Sequence, residues 1–194
     1  MEIIIHRVNK VRDLKKLNSI YGTEIDIRFY KQKLILNHEP NQTGDALEDY
    51  LINYSHGTLV LNIKEAGIEL EVLKLVKKYS IKNYFLLDIE FPFILNAYIN
   101  NIRELAIRVS FYESTTNVHN FKNLFNWIWL DSYKFKNFNK NDLNILKKNK
   151  ICIVCPSRWG KENQIKKYKN YFKKQNIKLH AVMTEKKYIK YWSD

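Results

Sequence analysis

Eight short apolar runs, each followed by a polar or helically periodic stretch, constrain this 194-residue chain more than anything else in it. They cover residues 3–8, 24–29, 58–64, 84–90, 105–110, 127–133, 151–156 and 179–184, and most are rich in Ile, Val, Leu, Phe or Trp. Such side chains favour extended backbone. The intervening segments repeat apolar residues at helical spacing. Ile68, Val72, Leu75, Val76 and Tyr79 form the clearest stripe. Shorter ones are Val11, Leu14 and Leu17, then Ala46, Leu47, Tyr50 and Leu51, and Leu143, Ile145 and Leu146. Residues 93–99, 118–125 and 165–172 add three more, and 186–192 a stub. Asn139 is placed to cap one helix, Ser114 or Glu113 another, and Pro92 suits a first helical turn.

Strand then helix, repeated, is the pattern of an α/β domain with parallel strands. Eight repeats favour a (β/α)8 TIM barrel over an open doubly wound sheet with fewer true strands. Such barrels typically need about 250 residues. This one must therefore be small, with short helices and loops. No linker, repeat or composition break divides the chain, so one domain over 1–194 is expected.

The formal charge of +13 admits an anionic partner. The lysines are spread over many segments, and the densest run, 161–178, reads as the solvated face of an amphipathic helix. No nucleic-acid-binding motif accompanies the charge, which argues against a nucleic-acid partner and favours a small anionic substrate. There is no apolar run long enough to span a membrane and no signal-peptide pattern, so a cytoplasmic protein is expected. Cys152 and Cys155 fall in a strand-like run at odd spacing, which suits buried core thiols better than a redox or metal pair.

Function in such barrels sits at the C-terminal strand ends, and polar residues gather there. The runs end in His6-Arg7, in Glu24, Asp26 and Arg28 with His38-Glu39 beyond, in Asn62-Ile63-Lys64, in Asp88-Ile89-Glu90, in Arg108-Val109-Ser110 with Glu113 beyond, and in Trp129-Leu130-Asp131. Glu24 and Asp26 alternate onto one strand face and offer hard oxygen donors of the kind Mg2+ or Ca2+ takes. His6 and His38 come from different segments and suit a base and an acid. Lys64 and Arg108 can neutralise phosphate oxygens. Trp129, Asp131 and Glu113 are placed to line a pocket. The plain alternatives are hydrogen-bonded core histidines, a Lys64–Asp88 ion pair, and tryptophans that only pack.

The order His6-Arg7, Glu24-x-Asp26, His38 and x-Ile-Lys64 resembles the glycerophosphodiester phosphodiesterases, barrels related to phosphatidylinositol-type phospholipases and venom-type phospholipases D. The resemblance is best over the first third of the chain and extends through strand order and the Trp129-Leu130-Asp131 end. It implies catalytic roles for His6 and His38, phosphate binding by Arg7 and Lys64, and metal binding by Glu24 and Asp26. The sequence departs from the family pattern in three places. Val8-Asn9 stands where a glycine follows His-Arg. Glu39 follows His38 in place of Asp. Asn62 replaces a glutamate that would be a third metal ligand. An amide keeps an oxygen donor but loses a charge, which Asp88 on the next strand could restore.

Two functions follow. One is a metal-dependent phosphodiesterase acting on a glycerophosphodiester-like substrate, with Mg2+ or Ca2+ held by Glu24, Asp26, Asn62 and Asp88. The other is a catalytically altered barrel that binds a phosphorylated or acidic glycan ligand without turnover.

Overall fold

The structure is a computed structural model and describes residues 1–121 and 124–193. The chain divides into two compact units, residues 4–100 and residues 1–3 with 101–194.

The first unit takes up the chain at Ile4 within β1 (Glu2–Ile5), which leads into a short helix, α1 (Val11–Leu14), and then into the long strand β2 (Gly22–Tyr30). β3 (Lys33–Leu36), β4 (Asp45–Ala46) and α2 (Leu47–Ile52) follow. β5 (Leu59–Ile63), α3 (Glu69–Lys78), β6 (Tyr84–Leu87) and α4 (Phe91–Ile99) complete it. β2 is the organising strand. It pairs in parallel with β1 and β5 and antiparallel with β3, and β5 pairs in parallel with β6. Ile25, Ile27, Leu59, Val60 and Leu61 are fully buried, as central strands of a parallel sheet require.

α3 forms where the sequence predicts it. Val72 and Val76 are buried on one face, Glu69 and Glu71 sit in the first turn, and Lys77 and Lys78 sit in the last, matching the helix dipole. Pro92 falls in the first turn of α4. The β2–β3 hairpin is an addition to the expected eight strands. Lys31 and Gln32 both adopt positive φ (46° and 62°), the geometry of a two-residue turn normally signalled by Asn-Gly. The tight turn lets the Leu34–Leu36 run bury itself antiparallel against Ile27, Arg28 and Phe29.

The second unit alternates β7 (Ala106–Val109), α5 (Thr116–Asn120), β8 (Trp127–Leu130), α6 (Lys140–Lys147), β9 (Lys150–Val154), α7 (Ile165–Lys174) and β10 (Ala181–Thr184). β7 pairs with β8, β8 with β9 and β9 with β10, all in parallel. Glu2 N–H adds a bond to the His180 carbonyl at 2.9 Å. Asn139 caps α6 by accepting from Asp142 N–H. Residues 122 and 123 of the helical stretch expected over 118–125 lie outside the described residues. α7 buries Ile165, Tyr168 and Phe172 and turns its lysines outward. Cys152 and Cys155 are both buried thiols. The tail ends in a 3-10 turn, Lys186–Tyr191. Among the described residues, no helix is long and apolar enough to cross a membrane.

Candidate active site

Within the first unit the expected residues of β1, β2, β5 and β6 meet through direct contacts. Glu24 and Asp26 are 2% and 0% exposed. Register places Asp26 beside Asn62 of β5. The Asn62 side-chain amide donates from Nδ2 to Glu24 Oε1 at 2.9 Å. The other oxygen, Oε2, accepts the Arg7 backbone N–H at 2.9 Å. Arg7 adopts a φ of 53°, rare for a residue with a side chain. His6 Nε2 lies 4.0 Å from Glu24 Oε2.

Asp26 is compensated differently. Oδ2 accepts from Asn9 Nδ2 at 2.8 Å, and Asn9 Oδ1 accepts the Asp26 backbone N–H at 2.9 Å. Arg7 Nε stands 3.7 Å from the same Oδ2. The Lys64 ammonium sits 3.3 Å from Asp26 Oδ1 and 3.7 Å from Asp88 Oδ2. Asn9, in the position where the family pattern departs, thus takes a specific place in the site. Nothing in its sequence context marks it out.

Burial pushes the Glu24 carboxyl up to about 7 from its ordinary 4.5, with repulsion from Asp26 adding and the Asn62 hydrogen bond opposing. Two buried carboxylates in one place cannot both ionise freely.

His38 lies beyond β3. Its carbonyl accepts from Arg28 Nε at 3.1 Å and Nη2 at 2.9 Å. Arg28 also donates from Nη1 to Glu65 Oε1 at 3.1 Å and to the Lys64 carbonyl at 3.4 Å, which ties the His38 backbone to the end of β5. The His38 ring meets Glu39 through Nδ1 at 2.6 Å. That bond is the main reason the Glu39 carboxyl is held below its ordinary value.

The donor set does not fit a divalent cation. Mg2+ and Ca2+ need several oxygens turned toward one point. Here Glu24 Oε1, Glu24 Oε2 and Asp26 Oδ2 each accept an N–H, and Asp26 Oδ1 faces an ammonium. Asn62 turns its NH2 toward Glu24, and its Oδ1 is a buried acceptor with no hydrogen bond. Among the described residues, no group of three or more His, Cys, Asp or Glu side chains could hold a metal ion. Of the expected set, Asp26 and Asp88 share Lys64, and Asn62 bonds Glu24.

The second unit holds the other expected residues. Arg108 Nη1 donates to Asp131 Oδ2 at 2.6 Å, and its Nε stands 3.7 Å from Glu113 Oε1. Asp131 is 6% exposed, and its Oδ1 accepts the Trp159 indole N–H at 2.9 Å. Trp129, expected to line a pocket, is 3% exposed, whereas Trp159 is 41% exposed. Trp159 lies in a 3-10 turn, Pro156–Trp159, that apolar periodicity does not reveal. Its ring contacts Tyr133, which stacks on Tyr112, with centroid separations of 5.5 and 5.4 Å.

No protein-family model and no curated protein sequence matches the chain. Solved structures do. A glycerophosphodiester phosphodiesterase from Agrobacterium tumefaciens strain C58 superposes with a TM-score of 0.63 at 11% identity, covering 95% of this chain and 97% of that one. A glycerophosphoryl diester phosphodiesterase from Parabacteroides distasonis gives a TM-score of 0.62 at 13% identity, covering 94% and 81%. The chain therefore has the α/β fold of the glycerophosphodiester phosphodiesterases, with the short helices its length requires.

Proposed function

We propose that the chain is a phosphoric diester hydrolase acting on a small glycerophosphodiester-like substrate. The observation that carries this reading is the gathering of His6, Lys64 and the Glu24–Asp26 pair, with His38 tied to the same strand ends by Arg28. The fold it shares with solved glycerophosphodiester phosphodiesterases supports the same reading.

Each residue has a role its surroundings favour. Glu39 at His38 Nδ1 favours the tautomer that leaves Nε2 as the base, which takes a proton from the attacking oxygen. His6, beside Glu24, is the acid that gives a proton to the leaving oxygen as the P–O bond breaks. Lys64 and the Arg7 guanidinium are the cations available to oppose the charge that builds on the phosphate oxygens. Arg108, held by Asp131 and Glu113 in the second unit, is a separate candidate for binding an anion. The attacking oxygen is that of water or of a substrate hydroxyl.

The test is turnover of a glycerophosphodiester panel by the wild type, His6→Ala and His38→Ala. Each change should lower kcat by about 10²-fold or more. Turnover unchanged in both variants rejects the assignment. A second reading is a barrel that binds a phosphorylated or acidic glycan without turnover, favoured by Asn62 in place of a carboxylate. It predicts calorimetric binding of glycerol phosphate that Lys64→Met abolishes, with no hydrolysis by the wild type.

A further inference from the structure

We propose that Lys64 replaces the divalent cation at the Glu24–Asp26 pair, so that the site holds its carboxylates together and receives an anionic ligand with no metal bound. The inference concerns the charge balance of the site. It uses the phosphodiesterase reading only to name the ligand.

Three observations carry it. The Lys64 ammonium lies between two carboxylates on neighbouring elements, 3.3 Å from Asp26 Oδ1 and 3.7 Å from Asp88 Oδ2. A divalent ion on Asp26 Oδ1 would stand within a few ångströms of that ammonium, and like charges at such separation repel strongly in a buried site. The Lys64 side chain is 18% exposed and the Asp26 side chain 1%, so water screens the pair weakly.

Next, the remaining carboxylate oxygens are already occupied. Arg7 N–H and Asn62 Nδ2 hold Glu24 at 2.9 Å each, and Asn9 Nδ2 holds Asp26 at 2.8 Å. The Arg7 bond is made by a backbone in the left-handed region. Such a conformation persists only where its surroundings fix it.

Last, Asn62 is oriented as a donor. Turning its Oδ1 inward as a ligand would forfeit the bond to Glu24 and set two oxygens against each other. A glutamate at this position would add a fourth carboxylate beside Glu24, Asp26 and Asp88 and upset the balance that one lysine can provide. The amide at 62, turned as a donor, thus leaves the ammonium at 64 to balance the pair.

The experiment is thermal melting of chelator-treated protein in MgCl2 or CaCl2, with ionic strength held constant. The wild type should melt at the same temperature from zero to 10 mM metal, within about 1 °C, because binding to the native state is what raises a melting point. Lys64→Met should lower the melting temperature, and 10 mM metal should recover at least half of the loss. Lys64→Gln provides the same comparison if the methionine variant does not fold. Adding Glu24→Gln should abolish the recovery. A saturable metal-dependent rise in the wild type that Glu24→Gln removes overturns the proposal. So does a lysine variant as stable as wild type, or one that metal fails to rescue. None of these readouts needs turnover, so an inactive protein would leave this inference standing while removing the hydrolase.

Discussion

The Asn62 side-chain amide donates to Glu24 Oε1 at 2.9 Å across the parallel pair β2 and β5. This bond partly offsets the burial that raises the Glu24 carboxyl to about 7 from 4.5. The sign of the pH dependence follows. The native state holds the proton more tightly than the unfolded chain, so Glu24 lowers stability as pH rises from about 4.5 to 7. Below that window wild type and Glu24→Gln should be nearly equal in stability. Above it the neutral glutamine should gain, by up to about 3 kcal/mol for a shift of this size. Urea unfolding of both proteins at about pH 4 and about pH 8, either side of that window, measures the difference. A gain for Glu24→Gln that is the same at both pH values would contradict the assignment.

Ser80 is exposed and adopts a φ of 55° just past the end of α3. Its N–H reaches the Lys77 carbonyl, and Ile81 N–H reaches back to Val76 O at 3.1 Å, so the helix ends in the turn that glycine suits best. Ser80→Gly should therefore stabilise the protein by about 0.5–1 kcal/mol, through relief of the left-handed conformation. Asn176 ends α7 in the same manner, with a φ of 53° and an Ile177 N–H bond to Phe172 O. Asparagine tolerates that conformation better, so Asn176→Gly should gain less. Thermal melting of the two variants against wild type checks the order.

Asp131 joins two groups at once, Arg108 at 2.6 Å and the Trp159 indole at 2.9 Å. Its side chain is 4% exposed and that of Arg108 29%. Asp131→Asn keeps the shape but leaves the guanidinium only Glu113, at 3.7 Å, as a carboxylate partner, at a cost of about 1–3 kcal/mol. In a double-mutant cycle with Arg108→Gln the two losses should fall short of additivity by most of that amount. Trp159 emission should shift in Asp131→Asn and stay fixed in Arg108→Gln. Additive losses would mean that the pair contributes nothing of its own.

The parts of the site most legible in the sequence are those where ionic residues end apolar strands. Glu24, Asp26 and Lys64 are of this kind, and alternation along a strand is enough to give their common face. His6 and His38 were legible as positions, while their partners Glu24 and Glu39 required geometry. Asn9 was not legible, because a polar residue after a strand end is what any loop contains, and its reciprocal bonds to Asp26 depend on tertiary placement. From its sequence position Asn62 is expected to offer an oxygen to a cation. An amide can accept or donate, and only the neighbouring carboxylate decides that it donates. Trp129 stands out in the sequence because it lies on a strand, whereas the exposed indole belongs to Trp159 in an irregular turn. The β2–β3 hairpin was hidden for a similar reason, since Lys31-Gln32 makes its turn without the residues that usually mark one.

Gly44 closes the loop that carries His38. A Cβ on Gly44 would stand 2.2 Å from the Leu36 carbonyl oxygen and 2.9 Å from its carbon, both backbone atoms that a side-chain rotation cannot move. Across the same loop Asn37 Nδ2 donates to Thr43 O at 2.8 Å, and Asn37 N–H donates to Asp26 O at 3.1 Å. Gly44→Ala must therefore spread the base of the loop or displace β3. The overpacking should cost about 2 kcal/mol or more. Because His38 follows Asn37 directly, the displacement also moves the ring relative to the end of β5, where Arg28 fixes its carbonyl. On the hydrolase reading, kcat should then fall by about 10-fold or more, since small misplacements of an acid or base are costly. Urea unfolding and glycerophosphodiester turnover of Gly44→Ala, measured where the variant is still fully folded, separate the two effects. A folded variant with wild-type turnover would mean that the position of His38 does not matter to the reaction.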